Sequence, residues 1–99
     1  MPTYIMLANF TDQAIRGIRE GPQRRAAALQ RIQRLGGKEV SIYYTQGRYD
    51  LVVTLDFPDE AAAMAFLLEI GAQGNVRTET LRAFTPEEME QAWGKMSPR

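Results

Sequence analysis

The sequence contains neither cysteine nor histidine, and these two absences remove much of the usual catalytic repertoire. Without cysteine there is no disulfide framework, no thiolate nucleophile and no cysteine-type zinc site. Without histidine the usual general base and the commonest transition-metal ligand are both missing. Carboxylates alone select hard cations such as Mg²⁺ or Ca²⁺. The one local cluster of acids, Asp56, Asp59 and Glu60 beside Pro58, is better explained by helix capping at Asp59. No metal and no cofactor is therefore expected, and any acid–base chemistry falls to Asp, Glu, Tyr or Lys.

Other absences exclude partners. No apolar run approaches the ~18 residues of a membrane-spanning helix. The opening Met1-Pro2-Thr3-Tyr4 has no basic region ahead of an apolar one, so a cytoplasmic location and no membrane contact are expected. Formal net charge is zero, so no overall field draws in nucleic acid. There is no glycine-rich anion loop, and the arginine-rich stretch has no aromatic residues on which bases could stack. Pro2 follows Met1, so its nitrogen is an amide and not the basic amine of a proline-based tautomerase.

What remains is an ordinary globular composition, 44% apolar and 24% charged over 99 residues, which fits a single domain spanning 1–99. Charge is segregated along the chain. Residues 12–38 hold seven basic side chains against two acids, whereas residues 39–92 hold ten acids against Arg48, Arg77 and Arg82.

Thr3 to Phe10 reads as a strand that is apolar on both faces. Thr11 and Asp12 are N-cap residues opening a helix with Ala14, Ile15 and Ile18. Gly21-Pro22 should kink or restart it. A second piece from Gln23 carries Ala26, Leu29, Ile32 and Leu35 on one stripe, and Gly36-Gly37 stops it. Lys38 to Thr45 alternates as a strand, with Val40, Ile42 and Tyr44 against Glu39, Ser41 and Tyr43. After the turn at Gln46-Gly47-Arg48, Tyr49 to Asp56 returns with Leu51, Val53 and Leu55 inward. Asp59 caps a second helix through Ala62, Ala63, Phe66, Leu67 and Ile70, which ends near Gly71 to Gly74. Asn75 to Phe84 is a fourth strand. Thr85-Pro86-Glu87-Glu88 is a capping box with proline at the first helical position, and a terminal helix follows with Met89, Ala92, Trp93 and Met96 on one side. The order βαββαβ plus a C-terminal helix predicts an α+β, ferredoxin-like antiparallel sheet with two helices on one face.

Three stretches resemble the GYD domain family: Pro2 to Thr11, the Gly47-Arg48-Tyr49-Asp50 hairpin, and Gly74-Asn75-Val76-Arg77-Thr78-Glu79-Thr80-Leu81-Arg82-Ala83-Phe84-Thr85. The last is the most specific, since so polar a strand is unusual. The family pattern is met as Gly-x-Tyr-Asp because Arg48 intervenes. The resemblance implies a dimeric α+β barrel. It implies no particular activity, because relatives with that fold include cofactor-independent oxygenases, small isomerases and ligand-sensing domains.

Alternation divides the sheet into two faces. With Ile5, Leu7, Val40, Ile42, Leu51, Val53 and Leu55 toward the helices, the residues Tyr4, Met6, Ala8, Tyr43, Val52 and Thr54 face away. Such an apolar face should be covered, either by a second copy in a homodimer or higher oligomer, or by the terminal helix folding back. The candidate ligand-binding residues are Tyr43, Asp50, Arg77, Glu79 and Arg82. None is assigned as catalytic. On the last strand, Asn75, Arg77, Glu79, Leu81 and Ala83 share one face and Thr78, Thr80 and Arg82 the other. Arg77 or Arg82 is expected to pair with Glu79 or Asp50, or else to receive an anionic ligand. Tyr49 is expected to anchor the turn by packing, and Asp50 to accept hydrogen bonds there. Two functions fit these features: an oligomeric module that binds a small molecule or a protein, and a cofactor-independent enzyme acting on a small apolar substrate through Tyr43, Asp50, Arg77 and Glu79.

Overall fold

The structure, a computed structural model, describes residues 1–98. Strand β1 (Thr3–Phe10) leads through Thr11 into the short helix α1 (Asp12–Arg16). The Thr11 side chain accepts from Ala14 N, as its N-cap position requires. A 3-10 turn, Ile18–Glu20, joins α1 to α2 (Gly21–Arg34), which restarts at Gly21-Pro22. Proline sits in the first turn, where its missing N–H is no loss. Helix α2 closes in a Schellman arrangement. Gly37 N donates to Ile32 O at 2.9 Å and Gly36 N to Gln33 O at 3.0 Å. Gly36 holds φ +77°, and a Cβ at Gly37 would lie 2.7 Å from the Phe57 ring, so both glycines are required.

Strands β2 (Lys38–Tyr44) and β3 (Leu51–Asp56) form the hairpin, α3 (Glu60–Gln73) follows, and β4 (Val76–Ala83) leads to α4 (Pro86–Gly94). Asp59 caps α3 through Ala62 N, and the Thr85–Glu88 capping box opens α4 with both of its hydrogen bonds formed. The sheet is antiparallel in the order β2-β3-β1-β4. This is the expected ferredoxin-like α+β architecture.

One expectation is reversed. Tyr4, Met6 and Ala8 of β1 face the helices and are buried, while Ile5 and Leu7 face away. The hydrophobic pattern of β1 cannot choose a face because both of its faces are apolar. Strand β3 makes the choice. Its Leu51, Val53 and Leu55 are buried against half-buried Val52, Thr54 and Asp56, and the register places Tyr4 opposite Leu55, Met6 opposite Val53 and Ala8 opposite Leu51. Paired residues share a face, so β3 turns β1 over.

Val40 also departs from expectation. A β-bulge between Glu39 and Ser41 inserts Val40 as an extra, half-exposed residue. Glu39 then joins Ile42 and Tyr44 on the helix side.

The core centres on Leu55, Phe57 and Phe66, with the Phe57 and Phe66 rings 5.6 Å apart. Helix α2 contributes one fully buried side chain to it, Ile32. Helix α4 touches the rest only marginally and projects, giving extents of 56 × 31 × 19 Å. It does not fold back over the sheet, whose open face carries Ile5, Leu7, Val52, Thr54 and Leu81 uncovered by any element among the described residues.

The two faces of β1 predict opposite mutational outcomes. Met6→Lys puts an unpaired charge in the core and should cost about 3 kcal/mol or more, enough to abolish cooperative urea unfolding. Ile5→Lys should leave a folded protomer with a cooperative transition.

Candidate functional site

The five expected site residues occupy three separate places. Tyr43 stands on the open face of edge strand β2, opposite Val52 and two-thirds exposed.

Asp50 precedes β3 and is tied into the sheet by three hydrogen bonds. Its Oδ2 accepts from Phe10 N at 2.8 Å, its N–H donates to Ala8 O at 2.9 Å, and its carbonyl accepts from Thr45 N at 2.9 Å. This is the acceptor role expected for it, and it ties the hairpin turn to the end of β1.

Arg77 and Glu79 do share a site. With Leu7, Asn9, Arg48, Tyr49 and Thr78 they line a shallow hollow on the open face beside the turn. The Tyr49 hydroxyl donates to Glu79 Oε1 at 2.7 Å. Arg77 donates to Val76 O at 3.0 Å and to Gly71 O at 3.5 Å.

Arg82 lies on the opposite face, as the alternation of β4 requires. Its guanidinium stacks 4.4 Å from the Phe84 ring centroid and 5.8 Å from that of Tyr4. It donates to the carbonyls of Thr3 and Ala83, and it stands 4.0 Å from Glu88.

The expected pairing of Arg77 or Arg82 with Glu79 or Asp50 is thus not made within the chain. The partner sequence reasoning missed is Tyr49, which reaches Glu79 from the turn with its hydroxyl and does not merely pack there. The hydrogen bond to Glu79 is the chief reason the Tyr49 phenol is held above its usual pKa, followed by desolvation and the same carboxylate's charge. The four residues considered for an enzyme, Tyr43, Asp50, Arg77 and Glu79, do not converge on one point.

The arginines of α2 form the second polar system, also unforeseen in its partners. Arg25 grips Glu39 in fork geometry, both contacts 2.7 Å, and the Glu39 side chain is only 11% exposed. The bulge makes this possible by turning Glu39 toward the helices. Arg34 and Arg31 converge on Glu69 of α3, at 2.6 Å and 3.4 Å. The hydrogen bond from Arg34 is the main cause holding the Glu69 carboxyl below the ordinary carboxylate range. Arg24 donates to Gly17 O and Ala14 O and so secures the α1–α2 joint. Three basic side chains of residues 12–38 are thus paired in space with two acids of residues 39–92.

Beneath these pairs, between α2, α3 and the sheet, lies a cavity of about 540 Å³. Its walls include Met6, Phe10, Ile32, Ile42, Val53 and Phe66, with Arg24, Arg25, Arg31 and Glu39 among the few charged groups. It exists because α2 turns small or charged side chains, Ala28 among them, toward the sheet. No sequence pattern announces it.

With this geometry in view, comparison with known proteins adds two findings. The family model described as GYD domain matches residues 4–93. A Thermus thermophilus protein named glutamine synthetase and cystathionine beta-lyase binding protein is 32% identical over 84 residues, which is 84% of this chain and 88% of that protein. No solved structure gives a significant match.

Two substitutions rank the ion pairs. Glu39→Gln should lower stability by about 1.5–3 kcal/mol, the range for hydrogen bonds to charged groups. Glu69→Gln, at a more exposed and solvent-screened pair, should shift the urea midpoint less than Glu39→Gln does. Both are read by urea unfolding at neutral pH.

Tyr49 gives a spectroscopic check on its own hydrogen bond. A raised folded-state pKa means the contribution to stability is present below the unfolded value, about 10, and is lost as pH rises through the raised one. Ultraviolet titration should find Tyr49 ionising at lower pH in Glu79→Gln than in the parent chain. Coincident curves would show that the bond does not form in solution.

Proposed function

We propose that this chain, which belongs to the GYD domain family, is a non-enzymatic protein-binding module that pairs with a second copy of itself through the open face of its sheet. The single observation that carries this reading is that face. Ile5, Leu7, Val52 and Leu81 stand side by side on three adjacent strands, with no element among the described residues over them. A contiguous apolar patch of that kind marks an interface, and a two-fold axis would let the same patch cover itself.

A second surface is available to a different protein. Helix α4 projects with Met89 and Trp93 at i and i+4 on one side, Trp93 60% exposed, and Met96, expected to continue that side, lies beyond the helix end at Gly94 and is also exposed. Tryptophan is among the residues that most often dominate binding energy at interfaces. The relative from Thermus thermophilus is named for binding glutamine synthetase and cystathionine beta-lyase. By analogy, α4 of this chain is assigned to docking on a metabolic enzyme of that kind.

Light scattering at micromolar concentration should find more than one subunit per particle. Val52→Asp should give a folded monomer, because it places a charge at the centre of the self-paired face. A monomeric parent chain would overturn the self-association. Immobilised chain should bind purified glutamine synthetase or cystathionine beta-lyase from its own host, with Trp93→Ala weakening the complex at least tenfold. If neither enzyme binds, the heterologous assignment falls while the self-association stands or falls on the scattering alone.

A further inference from the structure

We propose that the cavity beneath α2 is a binding site for a small amphipathic acid, its apolar body held among Met6, Ile32, Val53 and Phe66 and its single carboxylate met by Arg31. The site is separate from the docking surfaces, since the strand residues lining it face the helices and none lies on the open face.

Three observations carry the assignment. The first is size and chemistry. A cavity of about 540 Å³ falls within the ~300–1,000 Å³ typical of small-molecule sites, and its walls are mainly aliphatic and aromatic.

The second is charge. Arg24, Arg25 and Arg31 line the cavity against the single acid Glu39. Arg25 and Glu39 satisfy one another in fork geometry, so that carboxylate does not repel an incoming anion. Two guanidinium charges remain. Arg24 is spent on backbone carbonyls, with Glu20 no nearer than 3.9 Å.

The third is the unspent capacity of Arg31. Among the described residues its one side-chain hydrogen bond is a 3.4 Å approach to Glu69 Oε2, the oxygen that Arg34 already holds at 2.7 Å. A guanidinium has five N–H donors, so Arg31 can accept a carboxylate in bidentate geometry without breaking a strong bond. Planar fork recognition of this kind favours a carboxylate over a neutral or cationic head.

Isothermal titration calorimetry with decanoate, decanol and decylamine tests the site on the full chain. Decanoate should bind, decanol at least tenfold more weakly, and decylamine not measurably. Arg31→Gln should weaken decanoate at least tenfold and leave decanol unchanged. Ala28→Trp, which projects a ring into the cavity, should abolish binding of both while keeping the native circular dichroism. Should that variant fail to fold, Ala28→Leu and the head-group series on the parent chain still decide the matter. Equal affinity for all three heads, no binding of any, or decanoate binding indifferent to both Arg31→Gln and cavity filling would each overturn the proposal.

Discussion

The attachment of α2 is the constraint on which the rest of this structure depends. In most two-layer α+β domains a helix is held to its sheet by an apolar stripe. Here α2 buries Ile32 and packs Leu35, just past its end, against the core, and it is also fastened by charge: Arg25 to Glu39 of β2, and Arg31 and Arg34 to Glu69 of α3. Charged side chains are long, so a helix fastened by them stands off from the sheet. The space this leaves is the cavity. It opens to solvent and is a cleft beneath the ionic clamps, not a sealed void.

Much of the fold was legible because local rules agreed. The caps at Thr11, Asp59 and Thr85, the stop at Gly36-Gly37, and the restart at Gly21-Pro22 all follow from residue chemistry within a few positions. The strand order followed from βαββαβ connectivity. The errors arose where a decision is made by a partner strand. Strand β1 has two apolar faces, so its orientation is inherited from β3 through register, and period-two counting on β1 alone chose the wrong one. The bulge at Val40 is a property of the β2–β3 pairing and leaves no mark in the alternation of β2, where Val40, Ile42 and Tyr44 look continuous.

The polar strand β4 shows the same division between local and non-local information. Its two faces were read correctly from alternation. Its partners were not, because the group that reaches Glu79 is the hydroxyl of Tyr49, thirty residues away in a turn. Electrostatic complementarity alone pointed to an arginine. Geometry selected a neutral donor instead, and the two arginines went to backbone carbonyls and, for Arg82, to aromatic rings. Of the five candidate residues, Arg77 and Glu79 share a hollow, and the others serve the sheet edge, the turn and the base of α4. The α2–Glu39 and α2–Glu69 pairs join segments 14 to 38 residues apart, beyond the reach of any helical spacing rule.

The sheet separates two environments with one layer of backbone. Val52 faces the open side and Val53 the cavity; Ile5 faces the open side and Met6 the cavity. A sheet is stiff across its ladder, so a change in the cavity is not transmitted to the open face merely by proximity. Transmission needs an element with two arrangements that both sites bias. Helix α2 is the element that can move, because ion pairs at its periphery tolerate a shift that close apolar packing would resist. Its clamps end on β2 and α3, not on β1, β3 or α4. Displacement of α2 would thus be felt first at edge strand β2, where the bulge already interrupts the ladder and Tyr43 stands on the open face. Any link between the cavity and the proposed self-association would then run through β2, since none of the clamps ends on the central pair β1–β3.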